Sequence, residues 1–120
     1  MKSSVLGLAL LALIAGGAWA QDAARGKALF AKCARCHSLK RTENDLGPTL
    51  KGVVGRKAAS VKAFAYSAAM RHSAIVWDEQ TLNAYLAEPR IVVPRTSMSN
   101  ASGLEDATDR QDLIAFLKTQ

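Results

Sequence analysis

Two cysteines and a histidine lie within five consecutive residues, in the order Cys33, Ala34, Arg35, Cys36 and His37, and these are the only two cysteines of the chain. Thiols with this spacing can form a structural disulfide, a redox-active disulfide, half of a zinc site or a pair of thioether bonds. Each chemistry places its own demands on the rest of the chain, so the surrounding sequence decides between them.

Three of these chemistries fit the chain poorly. A disulfide between Cys33 and Cys36 closes a loop too short to stabilise a fold much, and small exported scaffolds usually carry several bridges. A thioredoxin-like redox pair requires a βαβ context, which the helical pattern around the motif does not provide. A closed zinc site needs four ligands, and only His72 could be added to the three residues of the motif.

Covalent attachment of a haem is the interpretation that the motif favours. Two thiols on one helical turn reach the vinyl groups along one porphyrin edge, and the next residue then lies under the iron. The sequence therefore predicts a haem site in which Cys33 and Cys36 attach the group and His37 ligates its iron.

The second axial ligand has to come from further along the chain, where the donors are Met70, Met98, His72 and the lysines. Met98 follows Pro94 in a segment that cannot be helical at its start, so we expect an extended strap over the open haem face. Met70 lies in an Ala-rich helical stretch, where packing is the simpler role for a methionine, and His72 is expected to face solvent. Met98 is the favoured ligand, and the other donors remain alternatives.

The start of the chain is typical of a cleaved secretory signal peptide. Residues 1–20 combine a positive charge at Lys2, an apolar run over 5–15 and a small-x-small ending at 18–20. Removing them leaves 120 − 20 = 100 residues, with 15 basic and 10 acidic side chains and a net charge of +5. We expect one domain over 21–120, which is too small for a two-domain enzyme or a large barrel.

Helical periodicity and capping residues predict an all-α domain. The first helix is expected to be capped by Asp22 and to end near the cysteine motif, and a short helix is expected after the cap Ser67. Residues 38–55 contain several glycines and no sustained periodicity, so they are expected to form a loop. Loops of this length in a small domain need a rigid group to wrap around, which a haem would provide.

Two stronger helices are expected in the second half of the chain. One is capped by Asp78 and stopped by Pro89. The other is the last helix, which we expect a capping box at 108–111 to begin, with Thr108 as the cap.

Together the motifs resemble those of class I cytochromes c, close to the respiratory type of mitochondria and bacteria. The similarity covers essentially all of 21–120, and its specificity comes from the order of the motifs: Gly26 to Phe30, Cys33 to His37, Leu46 to Gly52, Gly55 to Lys57, Phe64 to Tyr66, Trp77, Tyr85-Leu86, Pro94 to Met98 and Asp112 to Lys118. The resemblance implies a small all-α fold of three main helices, short helices and long loops wrapped round one covalent haem c.

The resemblance also implies roles that spacing alone does not reveal. It implies that the Pro48 carbonyl accepts the second N–H of the His37 imidazole, and that Tyr85 packs near the methionine sulfur. It places further polar side chains at a haem propionate, namely Arg56, Tyr66, Trp77 and Thr96. The implied haem-binding set is Cys33, Cys36, His37, Pro48, Arg56, Tyr66, Trp77, Tyr85, Thr96 and Met98, and the implied iron ligands are His37 and Met98.

The chain departs from the family near Met98. Respiratory members usually read Pro-Gly-Thr-Lys-Met, whereas this chain has Arg95 and Ser97 at the glycine and lysine positions. The segment 99–103 is polar and lacks the aromatic residue that usually follows the methionine. We therefore expect a wetter haem edge or a differently shaped loop.

An iron ligated by His37 and Met98 has no open position for a substrate, so the sequence predicts a single-electron carrier and not an enzyme. We expect a soluble periplasmic monomer that shuttles electrons between respiratory or photosynthetic complexes. One alternative is a cytochrome subunit or dedicated acceptor of a periplasmic dehydrogenase. Another is a haem enzyme or gas sensor with five-coordinate iron.

The basic charge points to redox partners and not to nucleic acid. The resemblance places Lys32, Arg90 and Arg95 around the exposed haem edge, where they would steer the chain toward an acidic patch on a membrane or periplasmic redox protein. A net charge of +5 without interleaved aromatic residues does not favour nucleic acid. No membrane anchor is expected once the signal peptide is removed.

Overall fold

The structure is a computed structural model that describes residues 21–100 and 104–120, so the expected signal peptide at 1–20 lies outside the described residues. The α-helices are α1 (Ala23–Leu29), α2 (Ala68–His72), α3 (Glu79–Ala87), α4 (Pro89–Val92) and α5 (Ala107–Lys118), with short 3-10 helices at Phe30–Lys32 and Ser97–Asn100. In these two described ranges, the only β contact is an isolated bridge between Lys57 and Val76. The expected all-α class is confirmed. No helix among the described residues is long and apolar enough to cross a membrane.

α1 carries the chain directly into the cysteine motif. The Asp22 carboxylate accepts the backbone N–H of Arg25 at 3.0 Å and so caps the helix, as expected. The helix tightens into the 3-10 turn Phe30–Lys32, whose C-cap is Cys33. The motif is therefore held at the end of a helix whose beginning is fixed by its own cap.

α1 crosses α5 with almost no space between the two backbones. A β-carbon on Gly26 would lie 1.9 Å from the carbonyl oxygen of Asp112, so only glycine fits at this crossing. Beside it, the rings of Phe30 and Phe116 pack with their centroids 5.7 Å apart. Arg25 adds ion pairs to Asp109 and Asp112. The crossing thus anchors the helix that leads into the cysteine motif.

α3 begins after the expected cap Asp78 and ends before Pro89, but a further short helix follows it directly. Asp78 and Thr81 form a reciprocal capping box at its start, and Leu82 and Tyr85 are buried on its inner face. Pro89 does stop α3, but it also begins α4, because proline is well tolerated at the first position of a helix.

The predicted cap of the last helix is wrong. α5 begins at Ala107, and its cap is Asp106, whose carboxylate accepts the N–H of Asp109 at 2.9 Å. Thr108 therefore lies inside the first turn. A carboxylate at this position satisfies a free N–H and also carries the charge that a helix N-terminus favours.

The core forms where α5 packs against both α1 and α3. Leu113 is fully buried, and Val53 and Val93 from the long loops are buried with it. The loops therefore contribute to the core, and the site residues that they carry are held by packing as well as by hydrogen bonds.

Candidate functional site

The cysteine motif folds into a single tight turn. The carbonyl of Cys33 accepts the N–H groups of both Cys36 and His37, at 3.0 and 2.9 Å. Both thiols are half-buried, and no disulfide joins them in the described part of the chain. Burial raises the pKa of the Cys33 thiol. One turn thus presents two free thiols and an imidazole together.

The imidazole of His37 is held by one ring nitrogen. Its Nδ1 lies 2.7 Å from the carbonyl oxygen of Pro48, so Nδ1 carries the proton and donates to that oxygen. Burial lowers the pKa of His37, and the Pro48 carbonyl and Asp45 only partly oppose this effect. The ring is therefore neutral near pH 7 and Nε2 keeps its lone pair, which is the form that binds a metal.

Gly47 lies against this ring and was not in the expected set. A β-carbon at Gly47 would lie 2.3, 2.6 and 2.8 Å from three atoms of the His37 imidazole. The N–H of Gly47 also donates to the carbonyl of Cys36 at 2.7 Å. The Gly-Pro pair in the sequence was the signal for this contact, although it indicated only a turn.

Thr49 organises the loop that carries Pro48. It is 3% exposed; its N–H donates to the side-chain oxygen of Asn44 at 2.8 Å, and its hydroxyl donates to the carbonyl of Lys40 at 2.7 Å. A buried threonine that bridges both sides of a loop fixes the backbone between them. The carbonyl that orients His37 is therefore held in place, by a residue that sequence reasoning did not single out.

Arg56 leaves one buried donor without a partner. Its two terminal nitrogens donate to the carbonyls of Lys51 and Thr49, at 3.1 and 2.9 Å. Its Nε is buried and has no hydrogen-bond partner among the described residues. Burial lowers the pKa of the guanidinium. A buried, unpartnered guanidinium N–H is suited to an anionic acceptor such as a carboxylate.

Trp77 and Tyr66 lie close to this arginine. The backbone N–H of Trp77 donates to the backbone carbonyl of Arg56 at 2.9 Å, and the Trp77 side chain is buried. The Tyr66 hydroxyl accepts the N–H of Val61 at 3.2 Å, so its own proton is free to be donated. Tyr66 is also close enough to Arg56 to raise the pKa of the guanidinium, which partly opposes the effect of burial. Arg56 is thus joined to Trp77 by a backbone hydrogen bond and lies within electrostatic reach of Tyr66, and the resemblance assigns all three to the propionate.

Tyr85 and Thr96 form a buried polar pair next to the backbone of Met98. Their hydroxyl oxygens are 2.7 Å apart, and both side chains are less than 10% exposed. Burial raises the pKa of Tyr85. The Thr96 hydroxyl oxygen also accepts the N–H of Met98 at 3.4 Å, and the ring of Trp77 packs 4.9 Å from that of Tyr85. This pair connects Thr96, which lies two residues before Met98, to Tyr85 on α3.

The expected extended strap is wrong in its conformation. Pro94 and Arg95 form a turn closed by a 3.0 Å hydrogen bond from the N–H of Thr96 to the carbonyl of Val93, and Met98 lies in the 3-10 helix Ser97–Asn100. Proline disfavours helical geometry at the residue before it, so the chain can turn again afterwards. The Met98 side chain is half-buried and packs against the core.

The alternative donors have other surroundings. Met70 lies in α2 and packs, half-buried, against the core, whereas His72 at the end of the same helix is exposed. Within residues 21–100 and 104–120, no group of three His, Cys, Asp or Glu side chains is arranged to hold a metal ion.

These features define a class: a small all-α protein whose loops surround a cysteine-pair haem attachment motif. The sequence model of the cytochrome c family matches residues 23–120, and the chain belongs to the cytochrome c family, as a class I member.

Similar proteins cover nearly the same length. Cytochrome c2 of Blastochloris viridis is 40% identical over 119 residues, which span 98% of this chain and 93% of that protein. Cytochrome c of Euglena viridis is 44% identical over 99 residues, which span 82% and 96%. The solved structure of cytochrome cH from Methylobacterium extorquens superposes with a TM-score of 0.77 at 43% identity, covering 82% of this chain and 99% of that one.

The cofactor of the family is haem c, bound covalently, and Cys33 and Cys36 supply the two thiols of its attachment motif. Three features of the structure fit this group: the neutral imidazole of His37, the close backbone of Gly47 and the unpartnered Nε of Arg56. Family members carry electrons and are not enzymes, so this chain is an electron carrier.

Proposed function

We propose that this cytochrome c is a soluble, periplasmic single-electron carrier whose iron is held by His37 and Met98. The observation that carries the proposal is the 2.7 Å hydrogen bond between Nδ1 of His37 and the carbonyl of Pro48, which leaves Nε2 as the ligating atom. When bound, haem c supplies an iron that changes between ferric and ferrous states by one electron.

His37 serves as the fixed ligand. The Pro48 carbonyl sets its tautomer and increases the basicity of Nε2, while Gly47 restricts the orientation of the ring. Since burial keeps the imidazole neutral, no proton has to leave before ligation near pH 7. These contacts hold the ligand in one geometry, which keeps reorganisation during electron transfer small.

Met98 serves as the second ligand. Its thioether favours the ferrous state and raises the reduction potential. The buried pair of Tyr85 and Thr96 supports the backbone before it. With His37 and Met98 both bound, the iron would have no position left for a substrate, as expected of an electron carrier and not of a five-coordinate haem enzyme.

The polar residues around Arg56 hold the charged edge of the cofactor. Arg56, Tyr66 and Trp77 are proposed to donate hydrogen bonds to a propionate, and Thr96 lies at the same edge. Burying a carboxylate without such donors would be costly. The unpartnered Nε of Arg56 supports this assignment, because a propionate oxygen would satisfy it.

The location and the partners follow from the chain's charge and its beginning. The signal-like sequence of 1–20 supports export to the periplasm, with cleavage before Gln21. Lys32, Arg90 and Arg95 are exposed and are proposed to form the docking surface for acidic, membrane-bound or periplasmic redox proteins. Mass measurement of the exported protein tests the cleavage, since the chain should begin at Gln21.

The ligand assignment is tested by absorption spectra of the oxidised holoprotein. A weak band at the red end of the visible spectrum reports ligation of ferric iron by methionine. Met98→Ala should abolish this band, keep the haem covalently bound and admit imidazole or carbon monoxide. Met70→Ala is the matched control and should leave the band in place. The reverse result would assign the ligand to Met70, and a band that survives both changes would contradict ligation by either residue.

A further inference from the structure

We propose that Arg110 is a positioning residue for Met98 and controls how readily the methionine leaves the iron. The inference rests on the proposed ligation by Met98. We define the Met98 loop as the described residues 93–100 and 104–105, which lie between α4 and the cap of α5. Arg110 lies on α5, outside this loop, and binds the loop's downstream end.

The guanidinium of Arg110, which lies on α5, connects this helix to α3 and to the downstream end of the Met98 loop. One terminal nitrogen donates to the carbonyls of Leu104 and Glu105, at 2.6 and 2.8 Å. Its Nε donates to the side-chain oxygen of Asn83 on α3, at 2.8 Å. The rigid, planar fork of arginine allows these bonds to form together, which the single ammonium of a lysine could not reproduce.

The downstream end of the loop is also fixed by its own backbone. The N–H of Leu104 donates to the carbonyl of Leu86 on α3 at 2.8 Å, and the Leu104 side chain packs against the core. Both polar groups of the Leu104 backbone are thus bonded, one to α3 directly and one to Arg110. The loop is pinned six residues after Met98.

The upstream end is held independently. Val93 and Thr96 are buried, and the Thr96 hydroxyl bonds to that of Tyr85 on α3. α3 therefore provides the fixed frame for both ends, while Arg110 is the side chain through which α5 holds the downstream one. We expect the opening of either end to let Met98 move away from the haem face.

Loss of the Arg110 bonds should make this opening easier without unfolding the domain. Hydrogen bonds from a charged donor are among the stronger ones in proteins. We expect Arg110→Gln to raise the affinity of the oxidised holoprotein for imidazole by about tenfold, equivalent to about 1.4 kcal/mol. The methionine band should remain without imidazole, and Arg110→Lys should have an intermediate effect.

The experiment measures imidazole affinity, chemical unfolding and amide exchange on the same proteins. Arg25→Gln is the matched control, because it removes another arginine that binds α5, through Asp109 and Asp112, far along the chain from the Met98 loop. In Arg110→Gln, exchange at the Leu104 amide should accelerate more than exchange in the interior of α5. In Arg25→Gln, imidazole affinity should change little even where the free energy of unfolding falls equally.

Three results would overturn the proposal. They are an unchanged imidazole affinity in Arg110→Gln, equal affinity gains in Arg110→Gln and Arg25→Gln at equal loss of stability, and unaltered exchange at Leu104. Failure of the underlying ligation is recognised separately, because the wild-type protein would then lack the methionine band or Met98→Ala would retain it.

Discussion

Gly47 and His37 are in direct contact: a β-carbon on the glycine would lie 2.3 Å from Cε1 of the imidazole ring. The first prediction follows from this contact. Gly47→Ala should force either the ring or the loop to move, which weakens the Pro48 hydrogen bond and costs about 1–3 kcal/mol of stability. The shift of the ring should also alter the absorption and the reduction potential of the holoprotein.

Gly52→Ala provides the control for this change. Gly52 has φ +67 and nothing within 4 Å of its virtual β-carbon. Alanine there should cost about 1 kcal/mol through backbone strain alone and should leave the spectrum unchanged. Equal spectral changes in the two variants would show that the contact between Gly47 and the imidazole does not determine the absorption spectrum.

The second prediction concerns acid stability. Asp112 is buried, and hydrogen bonds from the N–H of Asp22 and from Arg25 lower its pKa in the folded state. A lowered pKa stabilises the fold above the unfolded-state value of about 4, and this contribution is lost as the pH falls through the folded-state pKa. Chemical unfolding should therefore show Asp112→Asn to be less stable than wild type at pH 7, with the gap closing toward pH 3.

Arg25→Gln checks the cause of this pH dependence, because Arg25 supplies one of the two hydrogen bonds to Asp112. It should reduce the acid sensitivity of the free energy of unfolding but not remove it. A constant gap between Asp112→Asn and wild type at all pH values would refute the linkage.

The third prediction concerns backbone strain beside the methionine. Arg95 has φ +66, in the left-handed region that disfavours residues with a β-carbon. Arg95→Gly should raise the free energy of unfolding by up to about 1 kcal/mol, measured by chemical denaturation of the holoprotein. Arg95→Ala keeps the strain and should give no such gain. A gain in both variants would point to the arginine side chain and not to the backbone.

The fourth prediction concerns the docking surface. Reversing the charge of Lys32 or Arg90 should slow electron transfer to anionic hexacyanoferrate(III) by about tenfold at low ionic strength. The effect should fade at high salt, where screening acts over roughly 3–8 Å. Stopped-flow measurement of the reduced holoprotein gives the rates, and its reduction potential should stay nearly constant.

Lys118→Glu is the control for net charge. Lys118 lies at the end of α5 and pairs with Glu79, and an exposed pair of this kind contributes little to stability. Its reversal should slow the reaction less than either change at the proposed surface. Equal slowing at all three positions would mean that only the total charge of the protein matters.

The local parts of the fold could be read from the sequence. The caps Asp22, Ser67 and Asp78 each bind a backbone N–H three residues ahead, so their signal lies within four consecutive residues. The attachment motif is equally local. The cap of α5 was missed because Asp106 and Thr108 are both good caps, and local pattern alone does not rank them.

The contacts that tune the site could not be read in the same way. Gly47 touches His37 across a loop, and Arg110 reaches both α3 and the Met98 loop. Such contacts depend on how distant segments pack, and no periodicity or short motif encodes them. The 3-10 helix at Met98 was missed for a similar reason, since it follows a turn at a non-glycine residue with positive φ, Arg95.

The crossing of α1 and α5 has a consequence for the order of events during synthesis. Asp22 and Asp112, which are bonded in the folded protein, are 90 residues apart, and α5 is synthesised after every other described helix. Until it is made, Phe30 has no Phe116 ring to pack against, and the turn at Cys33 lacks its support. We therefore expect the turn at Cys33 to gain its full support only after the last helix has been made.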